Sequence, residues 1–312
     1  MTLLPFLLAA LPCLYWTQGV DTLPALKEAG IERVCVPPDR AEPWKAAGVA
    51  VTPLAPADLA GREALLVPGI TARAGLASPT RVPWVNANGW RFRRAGANGK
   101  FSYEVPAGKA ALAAAEASAY DADVVLQIDP ADVPALGQML AFIKQVPPAD
   151  LPDVADMAVV DDDSPITAEV MNLLSRRNLL YRVVRTPSSQ FPLNIKLGTK
   201  EFPVEEAADP SAFALKIRRL LTDDKRTLRV YGSEVVVCRV TGDAKHMRVH
   251  VLNYSGRDLF GLRFRLRGAF KQTEAYVSST GRVQLDDQVV ADDATEFSIP
   301  RLGTYAIVDL RP

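Results

Sequence analysis

Between residues 12 and 222, short apolar runs alternate with helix-like segments. The runs are Cys13–Trp16, Val34–Val36, Val49–Val51 and Leu65–Val67, then Val82–Val85, Val124–Ile128, Met157–Val160 and Leu180–Val184. They are almost unbroken by polar residues, which suits parallel strands buried on both faces. Helices are predicted between them. Thr22–Ala29 stops at Gly30, a C′ glycine, and Ala107–Tyr120 is alanine-rich. Asp132–Gln145 sets Val133, Leu136, Leu140 and Ile143 on one stripe. Ser164 as N-cap and Pro165 at N1 open Ile166–Arg177, and Asp209-Pro210 repeats that signal before Ala212–Leu221.

This alternation, repeated about eight times in about 210 residues, predicts a compact (β/α)₈ TIM-type barrel. It is irregular in the third and fourth repeats, where the helices around Ala57–Leu59 and Thr71–Leu76 are short. An open doubly wound sheet is the competing arrangement. After Lys225 the pattern changes to strands at roughly ten-residue spacing, split by turns such as Thr241-Gly242-Asp243 and Ser255-Gly256-Arg257. In that region Met247, Val249 and Val251 alternate with Arg248, His250 and Leu252, as in an antiparallel β-sandwich. The fold class is therefore α/β plus all-β. Residues 1–11 form an apolar leader, 12–225 a barrel-like domain and 226–312 a sandwich.

Composition narrows the chemistry. The 312 residues carry 36 Lys+Arg against 36 Asp+Glu, a formal net charge of zero, which argues against a nucleic-acid partner. The leader has an apolar core but no basic start, and is too short to span a membrane; export, to the periplasm or beyond, is favoured over the cytoplasm. The three cysteines, Cys13, Cys35 and Cys238, sit in apolar runs. Cys13 and Cys35 can meet only if their strands are neighbours, and buried free thiols are the favoured expectation. Only two histidines occur, His246 and His250, both in the sandwich. On one strand they lie roughly 13 Å apart, too far to share a metal. A barrel without histidine holds no Ser-His-Asp triad, His-bound zinc or Cys-His pair. No GxGxxG or Walker loop follows a strand, so no nucleotide cofactor is expected; Asp161–Asp163 could hold Mg²⁺ or Ca²⁺, but the calcium-loop spacing is absent and no metal is assigned.

Function in a barrel collects at the carboxyl ends of its strands. The candidates there are Trp16 and Asp21 after the first run, Asn86, Asn88, Trp90 and Arg91 in the Trp-rich segment, and Glu104. Asp129 ends the sixth run and Asp161-Asp162-Asp163 the seventh. Helix capping and turn formation account for some of these: Asp129 precedes Pro130, and one of the three aspartates serves the helix opening at Ser164. Taken together they suit a sugar site, with aromatic faces for pyranose rings and Asn, Arg and Asp for hydroxyls. Glycoside hydrolysis needs two carboxylates, one protonated and one ionised. Asp129 with Asp161 or Asp162, on adjacent predicted strands, are the catalytic candidates. Trp16, Asp21, Asn86, Asn88, Trp90, Arg91 and Glu104 are the substrate-binding ones.

The layout resembles that of bacterial glycoside hydrolases in which a (β/α)₈ barrel precedes a small β-sandwich. His250–Gly256 (HVLNYSG), Tyr276 and Leu302–Leu310 (LGTYAIVDL) are similar to the last strands of such accessory domains. Val159–Val184 resembles β/α units of the amidotransferase-like domains in some β-galactosidases, but lacks a cysteine, so amidotransferase activity is not implied. The resemblance implies catalytic glutamates at the ends of the fourth and seventh strands. Here the fourth run ends Val67-Pro68-Gly69 and the seventh ends in aspartates, so no catalytic residue carries over. Two readings follow: a hydrolase-like protein acting on a neutral carbohydrate through strand-end carboxylates, or a non-catalytic glycan-binding or structural protein with a degenerate barrel. Oligomeric state is not legible.

Overall fold

Strands rich in Val, Leu and Cys with no interior proline favour central positions in a parallel sheet, and that is where the first two runs lie. The run at Val49–Val51 falls on an edge strand, and Leu65–Val67 lies just beyond a short edge strand, not in one. The computed structural model describes residues 11–71, 84–233 and 235–312, without the side chains of 210 and 211. Two compact units are formed, residues 1–68 with 95–149 and residues 69–94 with 150–312.

In the first unit, β1 (Cys13–Tyr15), β2 (Arg33–Val36), β3 (Ala50–Pro53), β4 (Glu63–Ala64), β7 (Lys100–Val105) and β8 (Asp123–Ile128) form one parallel sheet, in the order β3-β2-β1-β8-β7-β4. The helices are α1 (Leu23–Glu28), α2 (Ala41–Ala46), α3 (Pro56–Ala60), α5 (Ala110–Ala119) and α6 (Val133–Gln145). Gly30, with φ 71°, ends the α1 segment as expected. Gly137 of α6 lies against the end of α1: a Cβ there would meet the Ala29 carbonyl oxygen at 1.9 Å.

Alternation divides the sheet into two faces. Leu14, Val34, Phe101, Tyr103 and Leu126 share the face toward α5, where the buried Glu116 accepts a hydrogen bond from the Tyr103 hydroxyl. Cys13, Tyr15, Cys35 and Val125 share the other face, and Leu54 and Leu59 of the β3–α3 segment pack on them. The expected closed barrel of eight repeats is not found among the described residues. Among the described residues the parallel sheet has six strands, with β3 and β4 as its edges. α3 contributes Leu59 to the face that a closed barrel turns inward. The runs expected as seventh and eighth barrel strands belong to the other unit, and the expected Val82–Val85 strand lies outside the described residues in its first two positions.

The free-thiol expectation is corrected for two of the three cysteines. β1 and β2 are parallel neighbours, with Tyr15 opposite Cys35, and Cys13 and Cys35 lie on the same face. Their Cα atoms are 5.9 Å apart and they form a disulfide, while Cys238 is buried and free. This separation is ordinary for a cystine. The spacing along the chain did not reveal it because the pairing of β1 with β2 decides it.

The second unit begins with an antiparallel hairpin, β5 (Gly69–Thr71) and β6 (Trp84–Asn86), followed by α4 (Gly89–Ala95). A parallel three-stranded sheet then forms from β9 (Met157–Val160), β10 (Tyr181–Val184) and β11 (Asn194–Ile195), in the order β10-β9-β11, with α7 (Pro165–Arg176) and α8 (Pro210–Leu221). Ser164 caps α7, accepting the Thr167 backbone N–H at 3.2 Å. The C-terminal part is all β. One sheet runs β12-β15-β19-β18, from Leu228–Tyr231, Leu259–Arg267, Ala294–Leu302 and Asp286–Ala291. The other runs β13-β14-β20-β16-β17, from Val236–Gly242, Met247–Asn253, Tyr305–Arg311, Gln272–Val277 and Gly281–Val283. Both are antiparallel, and their shared core includes Phe264 and Phe297, stacked at 5.2 Å. The Asn178 side chain donates to the Val236 carbonyl at 2.9 Å and accepts the Cys238 N–H at 2.8 Å, tying the end of α7 to β13.

Candidate functional site

The three acids Asp161–Asp163 follow β9, the central strand of β10-β9-β11. The loop beyond such a strand, where neighbours lie on both sides, is where open α/β sheets admit ligands. Here that position is filled from within the chain. Arg94 of α4 grips the Asp161 carboxylate with two bonds, Nε to Oδ2 at 2.9 Å and Nη2 to Oδ1 at 2.6 Å, and Nη2 also donates to the Ser164 carbonyl at 3.1 Å. Arg185 approaches Asp161 at 3.6 Å and Asp163 at 2.8 Å. The Asp161 side chain has no exposed surface. The Arg94 guanidinium, opposed by burial and helped by the Asp163 N–H and Arg185, holds its carboxyl below the usual carboxylate range. Asp162 is exposed and accepts the Ser164 N–H at 3.0 Å. The Ser164 hydroxyl foremost, with Thr167, brings its carboxyl down to about 2. Both acids are ionised wherever the protein is folded near neutrality, whereas a glycosidic general acid must keep its proton.

The tryptophan segment leads into the helix that supplies Arg94 to this cluster. Trp90 is half-buried against the core of the α/β part, with Arg91 at 4.4 Å and Arg94 at 5.8 Å from its ring. Asn88 is buried, and its carbonyl accepts the Arg91 and Phe92 N–H groups that open α4. Asn86 ends β6 and its side chain accepts a long hydrogen bond from Thr71, at 3.4 Å. Arg176 sits 3.9 Å from the Trp84 ring and Arg93 5.0 Å from the Tyr181 ring. Cation–π packing of this kind stabilises an arginine-rich helix on an aromatic floor.

Asp129 lies elsewhere. It follows β8 of the six-stranded sheet and accepts the Ala131 N–H at 2.9 Å, starting the short helical turn at Pro130. The expected adjacency of the Asp129 and Asp161 strands is therefore corrected: β8 and β9 belong to different sheets and different units. Trp16 is buried, its indole N–H donating to Thr22 Oγ1 at 2.9 Å, and Asp21 is exposed in the following turn.

Glu104 has company that the sequence did not suggest. It stands opposite Gln127 on the adjacent parallel strand. β8 also pairs with β1, Leu126 against Leu14, and one residue further on come Gln127 and Tyr15. Tyr15, Gln127 and Glu104 thus form a polar row across the carboxyl ends of three neighbouring strands, on the face opposite α5. Glu104 is exposed and Gln127 half-buried. Burial first, then the nearby Asp39 carboxylate, raises the Tyr15 hydroxyl pKa, and Arg40 opposes them. The signal for Tyr15 and Gln127 was their position near the end of an apolar run; the strand that carries Glu104, β7, falls in none of the runs of the sequence. Among the described residues no group of three His, Cys, Asp or Glu is set to hold a metal ion, and no helix is long and apolar enough to cross a membrane. Both histidines serve the sandwich, His246 against Asp309 at 2.8 Å and His250 against the Tyr305 hydroxyl at 2.7 Å.

No family model matches the sequence, and no curated protein matches it. Solved structures are similar to it in fold. α-L-Fucosidase isoenzyme 2 from Paenibacillus thiaminolyticus superimposes with a TM-score of 0.54 at 10% identity, over 86% of this chain and 68% of the fucosidase. The fold is glycoside-hydrolase-like. A β-galactosidase from Rahnella sp. R3 gives 0.46 at 11% identity, over 90% of this chain and 63% of its own. One from Bacillus circulans sp. alkalophilus gives 0.39 at 10%, over 92% and 61%. The chain thus spans about two thirds of the length of these enzymes, and no single family is marked out.

Proposed function

We propose that this protein binds a neutral carbohydrate at the carboxyl ends of its six-stranded sheet and does not hydrolyse it through Asp161 or Asp162. The observation that carries this reading is the Tyr15–Gln127–Glu104 row, a set of hydroxyl, amide and carboxylate groups suited to sugar hydroxyls at the carboxyl ends of three neighbouring strands. The Arg94 grip on Asp161 supports the negative half, since that carboxylate is neither protonated nor accessible. The strand order supports descent from a barrel: β1, β2 and β3 follow one another to one edge of the sheet and β8, β7 and β4 run back to the other, while β5 and β6 stand outside it. In this reading residues 1–11 are a leader, 12–225 a degenerate barrel-derived region and 226–312 an accessory sandwich. The Cys13–Cys35 disulfide supports export, because cytosolic thiols are kept reduced.

Titration of the full chain against a panel of neutral oligosaccharides tests the proposal. Binding is expected for at least one sugar, weakened roughly tenfold by Glu104→Ala or Gln127→Ala and unaffected by Asp162→Ala. Binding untouched by the first two substitutions would remove the site. A second reading has its own support. Glu104 and Asp129 end adjacent strands of one sheet, two residues out of step, which suits a carboxylate pair better than Asp129 with Asp161. Turnover of any glycoside that is lost in both Glu104→Gln and Asp129→Asn would establish this hydrolase instead.

A further inference from the structure

The sandwich carries a charged surface that the carbohydrate reading does not use. On β12 and β15 the inward positions, Leu228, Leu262, Phe264 and Leu266 among them, fill the core. The outward positions are Arg229 and Tyr231 on β12 and Arg263, Arg265 and Arg267 on β15. The register sets Arg229 directly opposite Arg265, and Tyr231 opposite Arg263. Like charges in direct cross-strand contact destabilise a sheet, so two facing arginines carry a cost that an outside anion would relieve.

The internal counter-charges are few. Glu296, opposite Arg265 on the next strand, pairs with Arg263 and, at 3.2 Å, with Arg265. Arg229 donates to the Asp223 backbone carbonyl at 3.0 Å, and the Asp223 carboxylate is shared by Arg218 and Arg226, each at 3.3 Å. Arg267 donates to the Lys225 carbonyl at 2.8 Å and to the Thr227 hydroxyl at 3.4 Å. On the far strand Asp287 accepts the Ser298 hydroxyl at 3.3 Å. Four outward arginines thus meet one ion-paired glutamate, with the Asp223 carboxylate near Arg229 and the Asp156 carboxylate near Arg267, beside a tyrosine that is 44% exposed.

We infer that the outer face of β12 and β15 binds an acidic polysaccharide, its carboxylates taken by Arg229, Arg263, Arg265 and Arg267 and a sugar ring by Tyr231. Guanidinium forks match carboxylates in two-bond geometry, and a flat aromatic face accepts pyranose C–H bonds. Nucleic acid fits less well, because the chain as a whole has zero net charge and its disulfide marks an oxidising compartment. The inference does not depend on the neutral-sugar site, which lies on a different sheet.

Electrophoresis of the full chain through gels containing polygalacturonate, neutral galactan or DNA tests it. Polygalacturonate is expected to retard the protein in low salt, galactan to leave this surface unused, and the Arg229→Gln/Arg265→Gln double variant to lose roughly tenfold or more in affinity. An Arg33→Gln control, at an exposed position of the first unit, is expected to behave as wild type. The double variant removes a like-charge contact but also the Arg265–Glu296 pair and the Arg229 bond to the Asp223 carbonyl, so its melting temperature is measured beside that of the wild type. If it falls, Tyr231→Ala, which keeps every charge, decides: retention weakened several-fold supports the surface and undiminished retention overturns it. No retardation of the wild type, equal retardation of the double variant, or DNA retarding it as strongly as polygalacturonate also overturns it. Loss of galactan binding in Glu104→Ala with polygalacturonate retention intact separates the two sites.

Discussion

Asp161 shows how a residue with catalytic credentials is diverted to structure. It stands at a strand end, before a capped helix, in the position where ligands enter open sheets. What the chain adds is Arg94, 67 residues earlier, which occupies both carboxylate oxygens. Asp161→Asn would leave Arg94 half-paired. It is expected to destabilise the second unit by about 2–3 kcal/mol, somewhat less than breaking a fully buried pair because Arg94 keeps contact with water. Thermal or urea unfolding of the variant measures this. The pH dependence has a definite sign. The Asp161 carboxyl is lowered in the folded state, so its contribution is complete above the ordinary carboxylate pKa near 4 and is lost as pH falls through the lower folded value. Stability of the wild type is expected to fall more steeply below pH 4 than that of Asp161→Asn. Parallel acid-unfolding slopes would refute this. Asp161 was legible in the sequence as a strand-end acid; its partner was not, since no local pattern links residues so far apart.

At the level of elements, helices were the most legible. Capping at Ser164-Pro165, the glycine at 30 and the stripe through 133–143 all correspond to helix limits within a few residues, because these signals act within a single turn. Most strands were also legible, though Lys100–Val105, outside every apolar run, was not, and neither was pairing. The disulfide illustrates this: two cysteines in separate apolar runs meet only because β1 and β2 are neighbours. It closes a sequence separation of 22 residues, so the Cys13→Ser/Cys35→Ser double variant is expected to lose about 3 kcal/mol. Reducing agent is expected to lower the melting temperature of the wild type and leave that of the double variant unchanged, a comparison that calorimetry makes directly. The exposed strand Asp286–Ala291 escaped the sequence reading because its two aspartates and lack of a buried face remove the usual alternation.

The whole molecule divides along lines the chain order conceals. Residues 69–94 leave the first unit, contribute a hairpin and α4 to the second, and the chain then returns to the first for residues 95–149. Two cores with separate contents need not melt together. Calorimetry is expected to show a transition broader than one two-state step, with a van't Hoff enthalpy below the calorimetric one. Reduction of the disulfide is expected to move only the part of the transition that belongs to the first unit. A single two-state transition that shifts as a whole would contradict this division.

By itself the sequence determined most helices and their limits, the majority of the strands, the change to β-structure near residue 226, and the placement of both histidines outside the N-terminal region. These depend on local periodicity, caps and residue counts. Only the tertiary structure decided that the parallel strands form one open six-stranded sheet and one three-stranded sheet, that Cys13 bonds Cys35, and that Arg94 seals Asp161. It also brought Tyr15, Gln127 and Glu104 into a row and set four arginines on one face. The physical reason is common to all of these. Pairing and burial are set by contacts between residues distant in the chain, and the free energy of such contacts leaves no trace in the local pattern.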